Sequence, residues 1–187
     1  MDEGKELNIE RVLHMSGILD KYDESIKLTY NYAYRMLVHL KNITNNFNKI
    51  EKPDDITIEV YRDSIIKKYE TLEDLTWKLL SKIFKASGLE INNPRGCYKQ
   101  AFKEGLINDI EIWNEILLSR NSTAHIYDEQ DYEEIKNKIV SDYIDAIEKL
   151  FVNVTCYLVL DVERFKIEDN MDDNLMKEEW IDCNKHR

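Results

Sequence analysis

Five glycines and two prolines are all that punctuate 187 residues. These two residues are the strongest local breakers of regular structure, and ordinary usage is about 7% and 5%. A chain this short of them has few places to turn and must run in long regular segments. Apolar residues recur along it at steps of three and four, the spacing of one helix face, and no stretch alternates with the period of two that a strand requires. The sequence is 43% hydrophobic, enough for a real core, and its length suits one domain. No internal repeat or low-complexity run is present. The expectation is an all-α protein, an up-and-down bundle of about four to five main helices.

The segments follow from the apolar stripes. Between Tyr22 and Phe47 the set Ile26, Tyr30, Ala33, Leu37, Leu40, Ile43 and Phe47 defines one face. Lys52-Pro53-Asp54-Asp55 breaks it, because proline disfavours helix in the residue before it, and Asp54 or Asp55 can cap the next helix. This second long helix is predicted from about Ile56 to Lys85, with Gly88 ending it. Pro94 suits the first position of a short helix closed by Gly105. Asn108 with Glu111 three residues on has the form of a capped start. The helix beginning there carries Ile110, Trp113, Ile116 and Leu117. The last long helix is predicted to begin near Asp128 or Glu129, with Ile135, Ile139, Tyr143, Ile147, Leu150, Val154 and Tyr157 along its face. The expected organisation is an N-terminal extension over 1–21, in which a short helix can form, a bundle over 22–165, and an acidic tail over 166–187. That tail is either disordered or docked as a short helix through Leu175, Met176 and Trp180.

The net charge of −11 removes the broad basic face of tight nonspecific nucleic-acid binding. Any RNA contact has to be local, or the acidic surface serves another partner. Cys97, Cys156 and Cys183 are odd in number and form no CxxC pair, which points to reduced thiols and to no metal site. The first residues are charged, and no apolar run approaches a bilayer span. A cytoplasmic protein with no membrane association is expected.

One segment does not read as scaffold: Arg120-Asn121-Ser122-Thr123-Ala124-His125, followed by Ile126-Tyr127. An arginine holds a permanent charge in a fork that fits phosphate, and a histidine titrates near neutral pH. In RNA cleavage by the 2′-hydroxyl, Arg120 can hold charge on the phosphorane while His125 serves as base or acid, without a metal. Asn121 can orient one of them by hydrogen bonding. On a continuous helix a five-residue step turns about 140°, so Arg120 and His125 would not share a face. Either the helix ends between them or a second copy of the chain completes the site. The second is the favoured reading, since a two-fold dimer places the same patch against itself. The plain alternative is that Arg120 pairs with a nearby carboxylate and His125 caps a helix end.

The chain resembles the HEPN family (higher eukaryotes and prokaryotes nucleotide-binding), whose motif is Arg, four to six residues, then His, commonly with Asn after the Arg. The similarity extends through Tyr61-Arg62-Asp63-Ser64-Ile65-Ile66, Leu75-Thr76-Trp77-Lys78-Leu79-Leu80, Pro94-Arg95 and Ala101-Phe102-Lys103-Glu104-Gly105-Leu106-Ile107 to Trp113, Arg120-Asn121, His125 and Tyr127, over roughly residues 22 to 155. The subgroup it most resembles is the nucleotidyltransferase substrate-binding proteins, encoded beside a minimal nucleotidyltransferase. The resemblance implies a HEPN-like bundle and a toxin subunit of a toxin–antitoxin pair. That subunit would be a metal-independent, cofactor-free endoribonuclease with a composite site in a homodimer, acting on RNA. It further implies AMPylation, with Tyr127 as the acceptor of AMP from the partner; a packing role at the helix start is the alternative for this residue. The other reading of the whole chain is a noncatalytic nucleotide- or substrate-binding subunit of a two-component nucleotidyltransferase.

Other residues have competing readings. Asp63 can orient Arg120 or His125, or pair with Lys67 one turn on. Lys78, Lys82 and Lys85 form a stripe that either guides RNA or is a solvated helix face, and Lys99 with Lys103 is a second such pair. Trp77 and Trp113 are read as core. Glu129, Asp131, Glu133 and Glu134 suit a helix N-terminus, or a basic partner.

Overall fold

The computed structural model describes residues 22–123 and 129–168, with backbone alone over 159–168. Six α-helices account for nearly all of it, and among the described residues there is no strand: α1 (Glu24–Phe47), α2 (Asp55–Ala86), α3 (Pro94–Lys103), α4 (Ile110–Ser122), α5 (Glu129–Lys138) and α6 (Ile144–Glu168). The all-α bundle expected from the scarcity of breakers is what forms. The readings of residues 1–21 and of the tail beyond 168 lie outside the described residues.

The first four helices each have a side-chain oxygen at the start to meet the orphan N–H groups of the first turn. Asp23 Oδ1 accepts from Ser25 N at 2.6 Å, Asp54 Oδ1 from Thr57 N at 2.7 Å, and Asn93 Oδ1 from Gly96 N at 2.7 Å. The Thr57 hydrogen bonds hold the Asp54 carboxyl below its ordinary value. At α4 the cap is Asp109, not Asn108: its Oδ1 accepts from Glu111 N at 2.9 Å and Ile112 N at 3.3 Å. Both residue types cap well, so composition alone could not choose between neighbours. Gly88 and Gly105 close α2 and α3 at φ of 82° and 71°. Gly88→Ala forces a Cβ into left-handed backbone and is expected to cost about 1 kcal/mol, a fall in Tm of roughly 2–4 °C.

Long α1 and α2 pack as a hairpin, and α6 returns antiparallel to α1. Near one end of α1, Tyr22 donates its hydroxyl to the Leu158 carbonyl at 3.1 Å; toward the other, Lys41 reaches Glu148 at 2.7 Å. Between them Tyr30, Tyr34 and Phe151 form an aromatic cluster, with Tyr30 and Phe151 edge to face at 5.4 Å. The Tyr30 hydroxyl meets Thr155 Oγ1 at 2.9 Å, so this ring is buried without stranding its polar tip. Trp113 is buried against Tyr98, their centroids 4.8 Å apart, while Trp77 is half-buried at the core margin.

The predicted last helix is interrupted. Ile139–Tyr143 is a π-helical turn between α5 and α6. Its trace in the sequence is the run Ile135, Ile139, Tyr143, Ile147, three successive steps of four where a regular helix mixes threes and fours. A wide turn keeps such residues on one face by accommodating an extra residue. Ile139 and Tyr143 are buried while Val140, Ser141 and Asp142 are exposed.

Candidate functional site

Arg120 lies in the last turn of α4, which ends at Ser122 with Thr123 as its C-cap. The regular helix therefore stops between Arg120 and the position of His125, the first of the two arrangements that the 140° step allowed. His125 and Tyr127 lie outside the described residues. Asn121 is exposed beside Arg120.

The carboxylate that meets Arg120 is Glu73, on α2. Its Oε2 lies 3.7 Å from Arg120 Nε, an ion pair too long for a direct hydrogen bond. Its Oε1 accepts the Tyr98 hydroxyl at 2.7 Å. The Glu73 side chain is 2% exposed and that of Arg120 is 37%, so a charge-bearing carboxylate sits in the core and its cation reaches outward. Burial pushes the Glu73 carboxyl above the ordinary range; the Tyr98 hydrogen bond and the Arg120 charge pull the other way without cancelling it. Burial likewise raises the Tyr98 and Tyr69 hydroxyls, which stay protonated as donors.

Sequence reasoning passed over Glu73. A signal for it existed: it falls on the buried stripe of α2 among Tyr69, Leu72, Thr76 and Leu80. A carboxylate on an apolar face must find a partner. Asp63, by contrast, is exposed, and among the described residues it makes no ion pair with Arg120; Lys67 pairs with Glu70 at 3.4 Å rather than with Asp63.

Further contacts lock the end of α4. Tyr69 donates its hydroxyl to the Ile116 carbonyl at 2.7 Å. Its ring stacks on Tyr143 at 5.8 Å, and the Tyr143 hydroxyl meets Ser119 Oγ at 2.8 Å. The π turn thus delivers Tyr143 to the helix that carries Arg120. Thr123 Oγ1 lies 2.6 Å from both Glu70 Oε1 and the Arg120 carbonyl, its single proton shared between them.

Beside this end of α4, a groove of ≈ 420 Å³ is lined by Arg62, Asp63, Ile66, Lys67, Glu70 and Thr123. The Arg62 guanidinium sits over the Tyr132 ring, 4.9 Å from its centroid. Burial pushes the Tyr132 hydroxyl up to about 12. Elsewhere, Lys78 is tied to Asp74 at 2.6 Å and Lys82 to Thr29 Oγ1 at 2.6 Å, so that stripe is largely engaged with its own protein. Cys97 is buried, which raises its thiol to about 11, and Cys156 is half-buried; neither forms a disulfide. Among the described residues no helix is long and apolar enough to cross a membrane, and no three His, Cys, Asp or Glu gather as metal ligands do.

A family profile described as nucleotidyltransferase substrate binding protein like matches residues 27–154. Those bounds run from the first turn of α1 into α6 and contain the whole Glu73–Arg120 arrangement. Among solved structures, a crystal structure of a protein from Thermus thermophilus is similar at 26% identity and a TM-score of 0.53, over 63% of this chain and 94% of that one. No curated protein matches.

Proposed function

Since this chain belongs to the nucleotidyltransferase substrate binding protein like family, we propose that it is the noncatalytic binding subunit of a two-component nucleotidyltransferase. It holds a nucleotide, or the molecule to be modified, for a separate catalytic partner. The observation that carries this reading is the anchoring of Arg120. Glu73, itself held by Tyr98, pairs with it from the core, and the Arg120 side chain is 37% exposed near the groove that Thr123 lines. A cation oriented before its ligand arrives loses less freedom on binding, and its planar fork suits phosphate. The net charge of −11 supports a small phosphorylated ligand over a long polyanion, which would meet repulsion along most of the surface.

The test is calorimetric titration of the purified chain with ATP and AMP, beside incubation with total tRNA and mRNA in EDTA. Saturable nucleotide binding with intact RNA is expected. RNA cleavage that disappears in both Arg120→Ala and His125→Ala would overturn it.

That opposite outcome corresponds to the second reading, a metal-independent ribonuclease of the HEPN type with a site completed by a second copy. What favours it is the Arg120-Asn121 to His125 pattern; the end of α4 at Ser122 between the two also allows a single copy to supply both residues. A toxin role would follow, with AMP transfer to Tyr127 as its control: a nucleotide on that phenol adds bulk and negative charge seven residues from Arg120 in the sequence. After mixing with a nucleotidyltransferase partner and ATP, this reading expects a mass gain of one or more AMP units, absent in Tyr127→Phe.

A further inference from the structure

We propose that the groove between α2 and the end of α4 is a nucleoside monophosphate site in which Arg62 is a phosphate anchor in addition to Arg120. Asp63 is the acceptor for the sugar hydroxyls. The proposal rests on the nucleotide-binding reading above and names where the ligand sits and what holds it.

Among the described residues, the charges of the groove sort into those already paired and those without an ion pair. Glu70 is met by Lys67 at 3.4 Å and by Thr123 Oγ1 at 2.6 Å, so these three side chains largely answer one another. Arg120 beside the groove is partly neutralised by Glu73. Arg62 makes no ion pair among the described residues. Its guanidinium is instead held over the Tyr132 ring at 4.9 Å.

A cation–π contact holds the guanidinium without an acceptor atom, so its N–H donors are not consumed by it. Tyr132 is itself 1% exposed, so the platform is fixed by the core. Arg62 is therefore a cation held on an aromatic ring and, among the described residues, without a counter-ion. That combination suits two oxygens of one phosphate.

Asp63 is the other charge with no ion pair among the described residues, and it lines the same groove. A carboxylate repels phosphate but accepts hydrogen bonds from a pair of adjacent hydroxyls. Ile66, one turn along α2, supplies an apolar surface between these polar groups. A phosphate donor site, a hydroxyl acceptor site and an apolar patch in one groove describe a phosphorylated nucleoside. The ≈ 420 Å³ of the groove lies within the range of small-molecule sites.

The experiment titrates the full chain with AMP, adenosine and inorganic phosphate, then repeats the series on Arg62→Met, Arg62→Lys and Asp63→Asn, with circular dichroism as the fold control. Wild type is expected to prefer AMP over adenosine by about tenfold or more, the scale of one charge-assisted contact. Arg62→Met should reduce that preference, weakening AMP more than adenosine. Arg62→Lys, which keeps the charge but not the fork, should retain only part of it. Asp63→Asn should weaken AMP and adenosine by a similar factor. If wild type binds AMP and a folded Arg62→Met or Arg62→Lys binds it equally well, the anchor assignment is wrong and the binding reading stands. If wild type binds none of the three, nor ATP, both fall.

Discussion

Glu73→Ala is expected to lose about 3 kcal/mol of stability, a fall in Tm of roughly 6–12 °C. The substitution strands the Tyr98 hydroxyl, which is buried and has its carboxylate acceptor at 2.7 Å. A buried hydroxyl without a partner costs about 1–3 kcal/mol. The volume vacated in the buried face of α2 adds a cavity term to this. Glu73→Gln keeps the shape and an acceptor for Tyr98 while removing the charge, so it should stay within about 1 kcal/mol of wild type.

The pH dependence separates the two variants. Burial raises the Glu73 carboxyl above the 4.5 it has in the unfolded chain, so the folded state takes up the proton first. Its stabilising contribution is complete below 4.5 and is lost as pH rises through the raised folded value. Thermal melts of wild type and Glu73→Gln between pH 4.5 and 8 should show wild type gaining relative to the variant as pH falls. A difference that is flat with pH would mean that Glu73 is not buried as a titrating carboxylate.

Arg120→Ala is expected to weaken nucleotide binding by roughly ten- to a hundredfold, the loss of a charge-assisted contact to phosphate. It should also remove about 1 kcal/mol of stability at pH 7, because the buried Glu73 carboxyl loses the cation that favours its charged form. The figure is small because Arg120 is 37% exposed and solvent screens it. Toward pH 4.5 Glu73 takes up a proton and the stability loss should shrink. In the double variant Glu73→Gln/Arg120→Ala, the stability effects should be less than additive, since each change removes the same ion pair. Equal nucleotide affinity in wild type and Arg120→Ala would take Arg120 out of the binding site.

The helices were legible because their determinants are local. Apolar steps of three and four, an aspartate or asparagine before a start and Gly88 after an end act within a few residues of where they stand. The misreadings were local too: Asp109 caps in place of its neighbour Asn108, and the π turn at Ile139–Tyr143 left only a run of fours as its trace. The candidate site was half legible. Arg120 stood out by residue type and by the pattern around it, but its counter-ion did not. Asp63 drew attention because it is polar in a family-like stretch, whereas Glu73 hid within an apolar stripe, where only packing reveals a carboxylate that must be paired.

By itself, then, the sequence determined the helical class, the order and approximate ends of the helices, and an arginine suited to phosphate at the end of one of them. These follow from backbone preferences and from chemistry carried within a single segment. Tertiary structure decided which carboxylate meets Arg120 across 47 positions of chain, from Glu73 on α2 to the last turn of α4. It also decided that Tyr132 fixes Arg62 and that Tyr143 reaches Ser119 through the π turn. Contacts between separate helices depend on the rotation and offset of one against the other. No local spacing encodes those quantities, because they are set when all the buried faces are satisfied together.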